Sequence, residues 1–295
     1  DGAPAMLGSR SGFQSKIKEL APQAKGLHCM IHRFALATKT LPKPLQEVLD
    51  SLVTIVNYMK SSALNTRLFK ELCKNMNSDH EVLLFYTAVR WLSKGNVVGR
   101  VFELENEIKQ FLEIKGKHEF MTHFNDETWI QRVGYLSDIL DQLNKLNLKL
   151  QGKETHIIHF RDNIQAFVLK LQNWRRKVNL GNFAMFEHLC TKTEESETGI
   201  VDNLREEINN HLKALESEIQ RYFPEFSEQE AALVRNPFHV SLDVTDIPDE
   251  VQDEFLELRN DSSASGMFQE KSLSQFWCAM RHLYPKVSML SFRIL

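Results

Sequence analysis

The stretch Leu136-Ser137-Asp138-Ile139-Leu140-Asp141-Gln142-Leu143-Asn144-Lys145-Leu146-Asn147-Leu148-Lys149-Leu150 decides the fold class. Leu136, Ile139, Leu140, Leu143, Leu146 and Leu150 recur every three or four positions, the period of an amphipathic helix that must bury one face. Two further stretches repeat the pattern. Ile157, Phe160, Ile164, Phe167, Leu171 and Trp174 form one stripe, and Leu204, Ile208, Leu212, Leu215, Ile219 and Tyr222 form the other. Each runs for only two or three heptads, which favours helices packed in a bundle over a free coiled coil. A buried Leu, Ile or Phe contributes roughly 1.5–3 kcal/mol, so each stripe offers about 10 kcal/mol before chain entropy is subtracted. Three such stripes can support an all-α domain.

Outward from this centre the chain remains helical in pattern. Pro44 suits an early helical position ahead of Leu45–Met59, whose broad apolar face is Leu45, Val48, Leu49, Leu52, Val53, Ile55 and Val56. Leu64–Met76 reads as a shorter helix capped by Ser62 or Asn65. Val97–Leu112 reads as one amphipathic helix with Glu103, Glu105 and Glu107 mainly on its wet side. Gly12–Leu20 is short and amphipathic, and the apolar Leu27–Ile31 is read as a candidate strand. The polar Thr191–Gly199 is read as a loop, Asn236–Asp249 as an extended connection and the Ser-rich Asn260–Gly266 as a break. Trp129, Trp174 and Trp277 are assigned to packing.

The chain has 295 residues, is 42% hydrophobic and 25% charged, and has a formal net charge of -3. This composition is globular, and the charge excludes a wholly basic nucleic-acid wrapper. Charge is nonetheless uneven: residues 1–45 carry +5 and residues 224–261 carry -9. A DNA contact would have to come from a local basic patch. The four cysteines, Cys29, Cys73, Cys190 and Cys278, form no CxxC pair, which suits free thiols in a reducing compartment. No apolar run approaches the roughly 18–20 residues of a membrane span, so no membrane partner is expected.

Three short motifs carry chemistry. Cys29-Met30-Ile31-His32 looks like half a zinc site, but no second pair stands at zinc-finger spacing. A packed Cys and a hydrogen-bonded His are the plainer account. In Thr87-Ala88-Val89-Arg90-Trp91-Leu92-Ser93, an Arg beside an exposed Trp could hold a phosphate and stack a base. With Val89 and Leu92 as neighbours, Trp91 could equally be core. Arg10, Lys16 and Lys18 could track phosphates, or simply form a solvated face. The chain opens with Asp1-Gly2-Ala3-Pro4-Ala5-Met6, in which Asp1 occupies a turn setting.

Taken together, Asp1-Gly2-Ala3-Pro4-Ala5-Met6, Cys29-x-x-His32 and Arg90-Trp91 resemble the transposase domain of the hAT superfamily. The resemblance is closest to host-domesticated members, relatives of BED-type zinc-finger and SCAN-domain-associated transposase-like proteins. It implies an RNase H-like α/β core interrupted by an inserted helical domain. Residues 1–115 would then be a partial core, 116–265 the α-helical insertion and 266–295 the start of a return segment. The expected fold class is mainly α, with one or two short strands near the N-terminus.

The same resemblance places Asp1 at the second carboxylate of an Asp–Asp–Glu site that holds two divalent metals for phosphoryl transfer. The first Asp would lie upstream. The Glu would lie beyond the segment resembling Phe276-Trp277 and Leu283-Tyr284-Pro285. One carboxylate cannot hold two Mg²⁺ ions, so the chain is expected to be a fragment with no catalysis of its own. No cofactor is expected unless a longer polypeptide keeps the whole acidic triad, which would bind Mg²⁺. Cys29 and His32 become a structural signature of the core, with no metal, and Trp91 matches a residue that stabilises a flipped base. The implied function is that of a domesticated, inactive, nuclear protein acting through DNA or nuclear proteins, with self-association open to the full-length protein. Two alternatives stand beside it: a helical protein-interaction scaffold without DNA contact, and a fragment of an active cut-and-paste transposase.

Overall fold

The computed structural model describes residues 3–8, 10–22, 29–84, 93–152, 157–196, 199–200, 202–223, 228–240 and 242–293. Helices make up 76% of the described residues, and there is no strand among them. The chain divides into two compact units, residues 1–151 with 167–222, and residues 152–166 with 223–295.

The first unit opens with α1 (Pro4–Leu7), α2 (Phe13–Leu20) and α3 (Met30–Ala37). It continues through α4 (Lys43–Lys60), α5 (Ala63–Asn75), α6 (Ser93–Glu103), α7 (Glu105–Ile114) and α8 (His118–Phe124). The long α9 (Glu127–Leu150) follows, then α10 (Ile157–Asn179) from Phe167 onward, α11 (Glu187–Glu195) and α12 (Asp202–Tyr222). Helix α9 lies at the centre. It packs chiefly against α6 and α11 and also meets α3, α4 and α8. Its whole predicted stripe, Leu136 to Leu150, is buried, as are Ile130, Val133 and Tyr135 on its other sides. The stripe of α12 is equally deep, with Leu204, Ile208, Leu212, Leu215 and Ile219 at 0% exposure.

Helix starts follow local chemistry. Asp126 caps α9 by accepting from the backbone N–H groups of Thr128 and Trp129, at 2.9 and 3.3 Å. Ser62 caps α5 by accepting from Leu64 and Asn65, which satisfies donors that a helix leaves unpaired at its first turn. Pro44 stands in the first turn of α4, where its missing N–H costs nothing.

The second unit holds the start of α10, then α13 (Glu228–Arg235), α14 (Asp249–Asn260), α15 (Ser262–Glu270), α16 (Leu273–Met280) and α17 (Pro285–Phe292). Its core gathers Phe255, Leu258, Phe276, Trp277, Met280 and Val287 with Ile158 of α10. Buried Trp277 donates its indole N–H to the Val234 carbonyl at 3.0 Å. Asp261 caps α15 through Ser263 and Ala264 and also accepts from the Tyr284 hydroxyl at 2.9 Å. The Glu254 carboxylate accepts from the Val287 N–H in the first turn of α17.

Several sequence expectations are corrected. Met30 and Ile31 are helical, not part of a strand; Leu27 and His28 lie outside the described residues. Phe34 and Ala37 are the buried positions of α3, at helical spacing, and α3 packs on α12. A helix satisfies its own backbone groups, whereas an isolated strand would leave them unpaired. Val97–Leu112 is two helices, since Leu104 leaves helical geometry at φ -102°, ψ 26°. The turn brings Glu105 and Glu107 inward, at 7% and 9% exposure. Glu105 pairs there with Lys109 and Lys192, and Glu107 accepts from the Ser78 hydroxyl. Buried charges of this kind are tolerated because they are paired. Thr191–Glu195 is the second half of α11, not a loop. The break expected over Asn260–Gly266 is confined to the cap residue Asp261, since Ser262–Gly266 already belongs to α15.

Two glycines on helices stand in opposite surroundings. A Cβ on Gly134 of α9 would meet the His188 carbonyl oxygen at 3.0 Å and Leu189 N at 3.1 Å, so α11 lies against α9 at backbone distance. A Cβ on Gly266 of α15 would meet nothing within 4 Å. Gly134→Val is therefore expected to lower stability by about 1–3 kcal/mol through overpacking. Gly266→Ala is expected to raise it by about 0.5–1 kcal/mol through helix propensity. Chemical denaturation of both variants against the parent checks the two signs.

Candidate functional site

The residues singled out from sequence are dispersed. Asp1, Arg90 and Trp91 lie outside the described residues. Arg10 is exposed in the turn before α2, and Lys16 and Lys18 are exposed on α2 itself. Residues two apart on a helix stand about 200° apart around its axis, so Lys16 and Lys18 face away from each other. Helix α2 buries none of its residues, and its Phe13 and Leu20 are exposed. Cys29 is an exposed free thiol just ahead of α3, and its carbonyl accepts the Arg33 N–H. His32 is exposed in the first turn of α3. Among the described residues no group of three or more His, Cys, Asp or Glu converges as a metal site. A two-metal centre of the kind implied for Asp1 needs such a group of carboxylates, so no step through a metal is derived from these residues.

The structure brings together a different set, which the hydrophobic pattern concealed. Helix α9 carries Arg132, Tyr135 and Asp138 at three-residue spacing, and each reaches a partner far away in sequence. Arg132 makes a two-pronged contact with Glu207 of α12, at 2.9 and 2.7 Å. The Tyr135 hydroxyl meets His211 Nδ1 at 2.8 Å, one helical turn further along α12. Asp138 accepts from the backbone N–H groups of His188 and Leu189, at 3.2 and 3.1 Å, and so caps α11 from outside that helix. The signal was present in the sequence. Tyr135, Asp138 and His211 are polar or titratable residues embedded in apolar helical runs, and such residues must find partners.

The electrostatics follow from burial. Tyr135 and His211 are 0% and 1% exposed. Desolvation pushes His211 down to about 4, against a smaller opposing effect of its hydrogen bond to the Thr40 backbone. The ring is thus neutral at pH 7. Its Nδ1 accepts from Tyr135 when the other nitrogen bears the proton donated to Thr40, which assigns the tautomer. Tyr135 is pushed well above the usual phenol range, first by burial and then by the Asp138 charge. His188 moves the other way from His211: Asp138, 3.2 Å from its Nδ1, raises it despite partial burial. Its ring also lies 4.4 Å from that of Phe102.

A second charged group lies in the last turn of α11. Lys192 sits between Glu105 at 3.1 Å and Glu195 at 2.7 Å, with the Phe102 ring 5.5 Å away. Burial alone would lower Lys192, and the two carboxylates outweigh it, so it is raised. Glu105 also holds Lys109 at 2.6 Å. These charges neutralise one another, and the arrangement reads as a tie between α7 and α11.

The His211 geometry fixes a pH dependence. Its folded value lies below the ordinary 6.5, so the unfolded chain binds more protons between pH 6.5 and 4. Stability from this group is complete above the unfolded value and is lost as pH falls through that window. The expected loss between pH 7 and pH 5 is about 2 kcal/mol. Denaturation midpoints of the parent and of His211→Gln, taken at both pH values, check it. The variant should lose that much less on acidification.

The described geometry is thus an all-helical one whose central helix lies within a recognised sequence block. The family model for the FAM200/GTF2IRD2 helical domain matches residues 28–179, just over half of the chain. That span runs from Cys29 and α3 through α9 to the end of α10, and includes Arg90 and Trp91. No solved structure matches the chain. No helix among the described residues is long and apolar enough to cross a membrane. On the strength of the matched span, the chain belongs to the FAM200/GTF2IRD2-like helical-domain family, which is related to transposase-derived proteins.

Proposed function

We propose that this chain is the helical part of a domesticated hAT transposase-like protein that acts in the nucleus by binding and does not itself cut or join DNA. The observation that carries the reading is the family match over residues 28–179, which encloses Cys29, His32, Arg90 and Trp91. On this reading residues 1–115 descend from an RNase H-like core and 116–265 from its helical insertion. Asp1 marks the place of one metal-binding carboxylate. Cys29 and His32 are marks of descent with no metal between them. Mg²⁺ enters only if a longer polypeptide supplies the remaining carboxylates.

DNA is the first proposed ligand. Trp91 would stack on an unpaired base, Arg90 would hold a phosphate, and Arg10, Lys16 and Lys18 would add charge. A protein partner without DNA contact is the second reading, and it has its own support. Lys16 and Lys18 diverge around α2, and Phe13 and Leu20 leave an apolar side of that helix exposed. A surface built only for phosphate has no use for exposed Phe and Leu.

Fluorescence anisotropy with a labelled DNA carrying an unpaired base separates the readings. Phosphate contacts make log K fall with log salt at a slope of about -0.9 per contact. The DNA reading expects such a slope, and expects Trp91→Ala to weaken binding by roughly 5- to 100-fold, the worth of one stacked base, with helix content unchanged. No salt-dependent binding would move the function to the protein partner. Nicking or strand transfer with Mg²⁺ or Mn²⁺ would contradict the inactive reading outright.

A further inference from the structure

Helix α11 meets α9 through its first turn. Gly134 and Asp138 stand about one turn apart on α9, and both face that turn. Gly134 admits the His188 backbone, whose carbonyl oxygen lies 3.0 Å from where a Cβ would stand. Asp138 accepts from the backbone N–H groups of His188 and Leu189. The His188 side chain turns back onto the same carboxylate, with Nδ1 3.2 Å from Asp138 Oδ1. From α6, the Phe102 ring lies 4.4 Å from the imidazole at an interplanar angle of 38°. One side chain thus joins α11 to both α9 and α6. Little else holds this helix by apolar contact, since Leu189 is the buried residue of α11.

The imidazole can change charge without leaving this position. Nδ1 is shielded from solvent, while the His188 side chain as a whole is 35% exposed and that of Asp138 only 9%. A lone pair on Nδ1 would face those of the carboxylate, so Nδ1 carries hydrogen in both charge states. The proton is gained and lost at Nε2, on the part of the ring that solvent reaches. Gaining it makes the contact with Asp138 charge-assisted and sets a cation beside the Phe102 ring. The other charges around the imidazole are Glu103 on α6 and Glu187 on α11 itself, and both favour the cation. Glu103 is also engaged by Arg100 at 3.0 Å and His80 at 3.4 Å. Lys192 lies 5.5 Å from the centre of the Phe102 ring, with its charge offset by Glu105 and Glu195. The hydrogen bond to Asp138 is the largest influence and raises His188 above its ordinary 6.5, against the opposing effect of burial.

We propose that His188 is a pH-operated latch on α11: the imidazolium holds the first turn of α11 closed on α9 and α6, and the neutral ring loosens that hold. The folded group binds its proton more tightly than the unfolded one. Its contribution is therefore complete below the unfolded value of 6.5 and is lost as pH rises through the higher folded value. The latch thus works around neutrality, where histidine is the ordinary side chain to change charge. His211 acts in the opposite sense, because its contribution is lost on acidification. The release is local: a helix with few buried apolar contacts opens at lower cost than the enclosed helices around it. The inference does not depend on whether the chain binds DNA.

Two measurements on the whole chain test it. In an NMR titration of the imidazole, assigned by the signal missing from His188→Gln, His188 should titrate with a midpoint above 6.5. Amide hydrogen exchange at about pH 6 and about pH 8.5 brackets that transition, with each rate divided by the intrinsic rate of the same amide at that pH. Protection of Leu189 to Thr193 should be about three- to tenfold higher at the lower pH, the excess of a charge-assisted hydrogen bond over a neutral one. Amides of α12 around His211 should show no such gain. In His188→Gln, which keeps a half-exposed polar side chain and the Asp138 cap, the pH dependence of α11 should vanish. A midpoint at or below 6.5 would overturn the proposal. So would α11 protection that is equal at the two pH values, or a pH dependence that persists in His188→Gln.

Discussion

Helix α9 is enclosed along most of its length, and that enclosure governs the first unit. From Trp129 to Leu140 every residue is buried except Arg132, which is half-buried and tied to Glu207. An ordinary surface helix has a wet side for its polar residues. This one has none there, so Gln131, Tyr135, Ser137 and Asp138 must be satisfied by the helices around them or leave costly unpaired groups. Gln131 donates to the Gly199 carbonyl at 2.9 Å, Tyr135 meets His211, and Asp138 caps α11. Apolar stripes alone would allow neighbouring helices to slide by a turn at modest cost. The polar ties specify one register for α11 and α12 against α9. Gly134 contributes the same restriction sterically, since only a residue without a side chain admits the His188 backbone at that distance.

The apolar periodicity made the framework legible. The stripes of α9, α10 and α12, the face of α4 and the three packing tryptophans all stand where the spacing puts them, with only Ile157, Tyr222 and Val53 half-buried. The Ser62 cap and the position of Pro44 were equally readable, because they depend on local chemistry. What could not be read was decided by partners distant in sequence. Glu105 and Glu107 have the composition of a wet face, and only the turn at Leu104 and the position of Lys192 reverse that. The acidic end of α11 resembles a loop until its start is seen capped by Asp138 of another helix. Met30 and Ile31 have strand-like composition, but Phe34 and Ala37 give the segment a helical face to bury on α12.

The candidate site was less legible than the fold, for a physical reason. Binding residues sit on surfaces, where no periodicity constrains them. Short motifs singled out Cys29, His32, Arg90 and Trp91, and the family match over residues 28–179 supports the coarser relationship to transposase-derived proteins. Cys29 and His32 are exposed, and Lys16 and Lys18 point apart. The buried polar set around α9 was invisible to motif reading because it serves the fold and follows no ligand-spacing rule.

Amide hydrogen exchange across the whole chain tests most directly whether enclosure of α9 organises the first unit. The account predicts that amides from Val133 to Leu143 exchange last in that unit, opening only with its global unfolding, with those of α12 around His211 close behind. Amides of α2, which buries nothing, should exchange within the earliest time points. Rapid exchange in α9, at rates comparable to α2, would contradict the account.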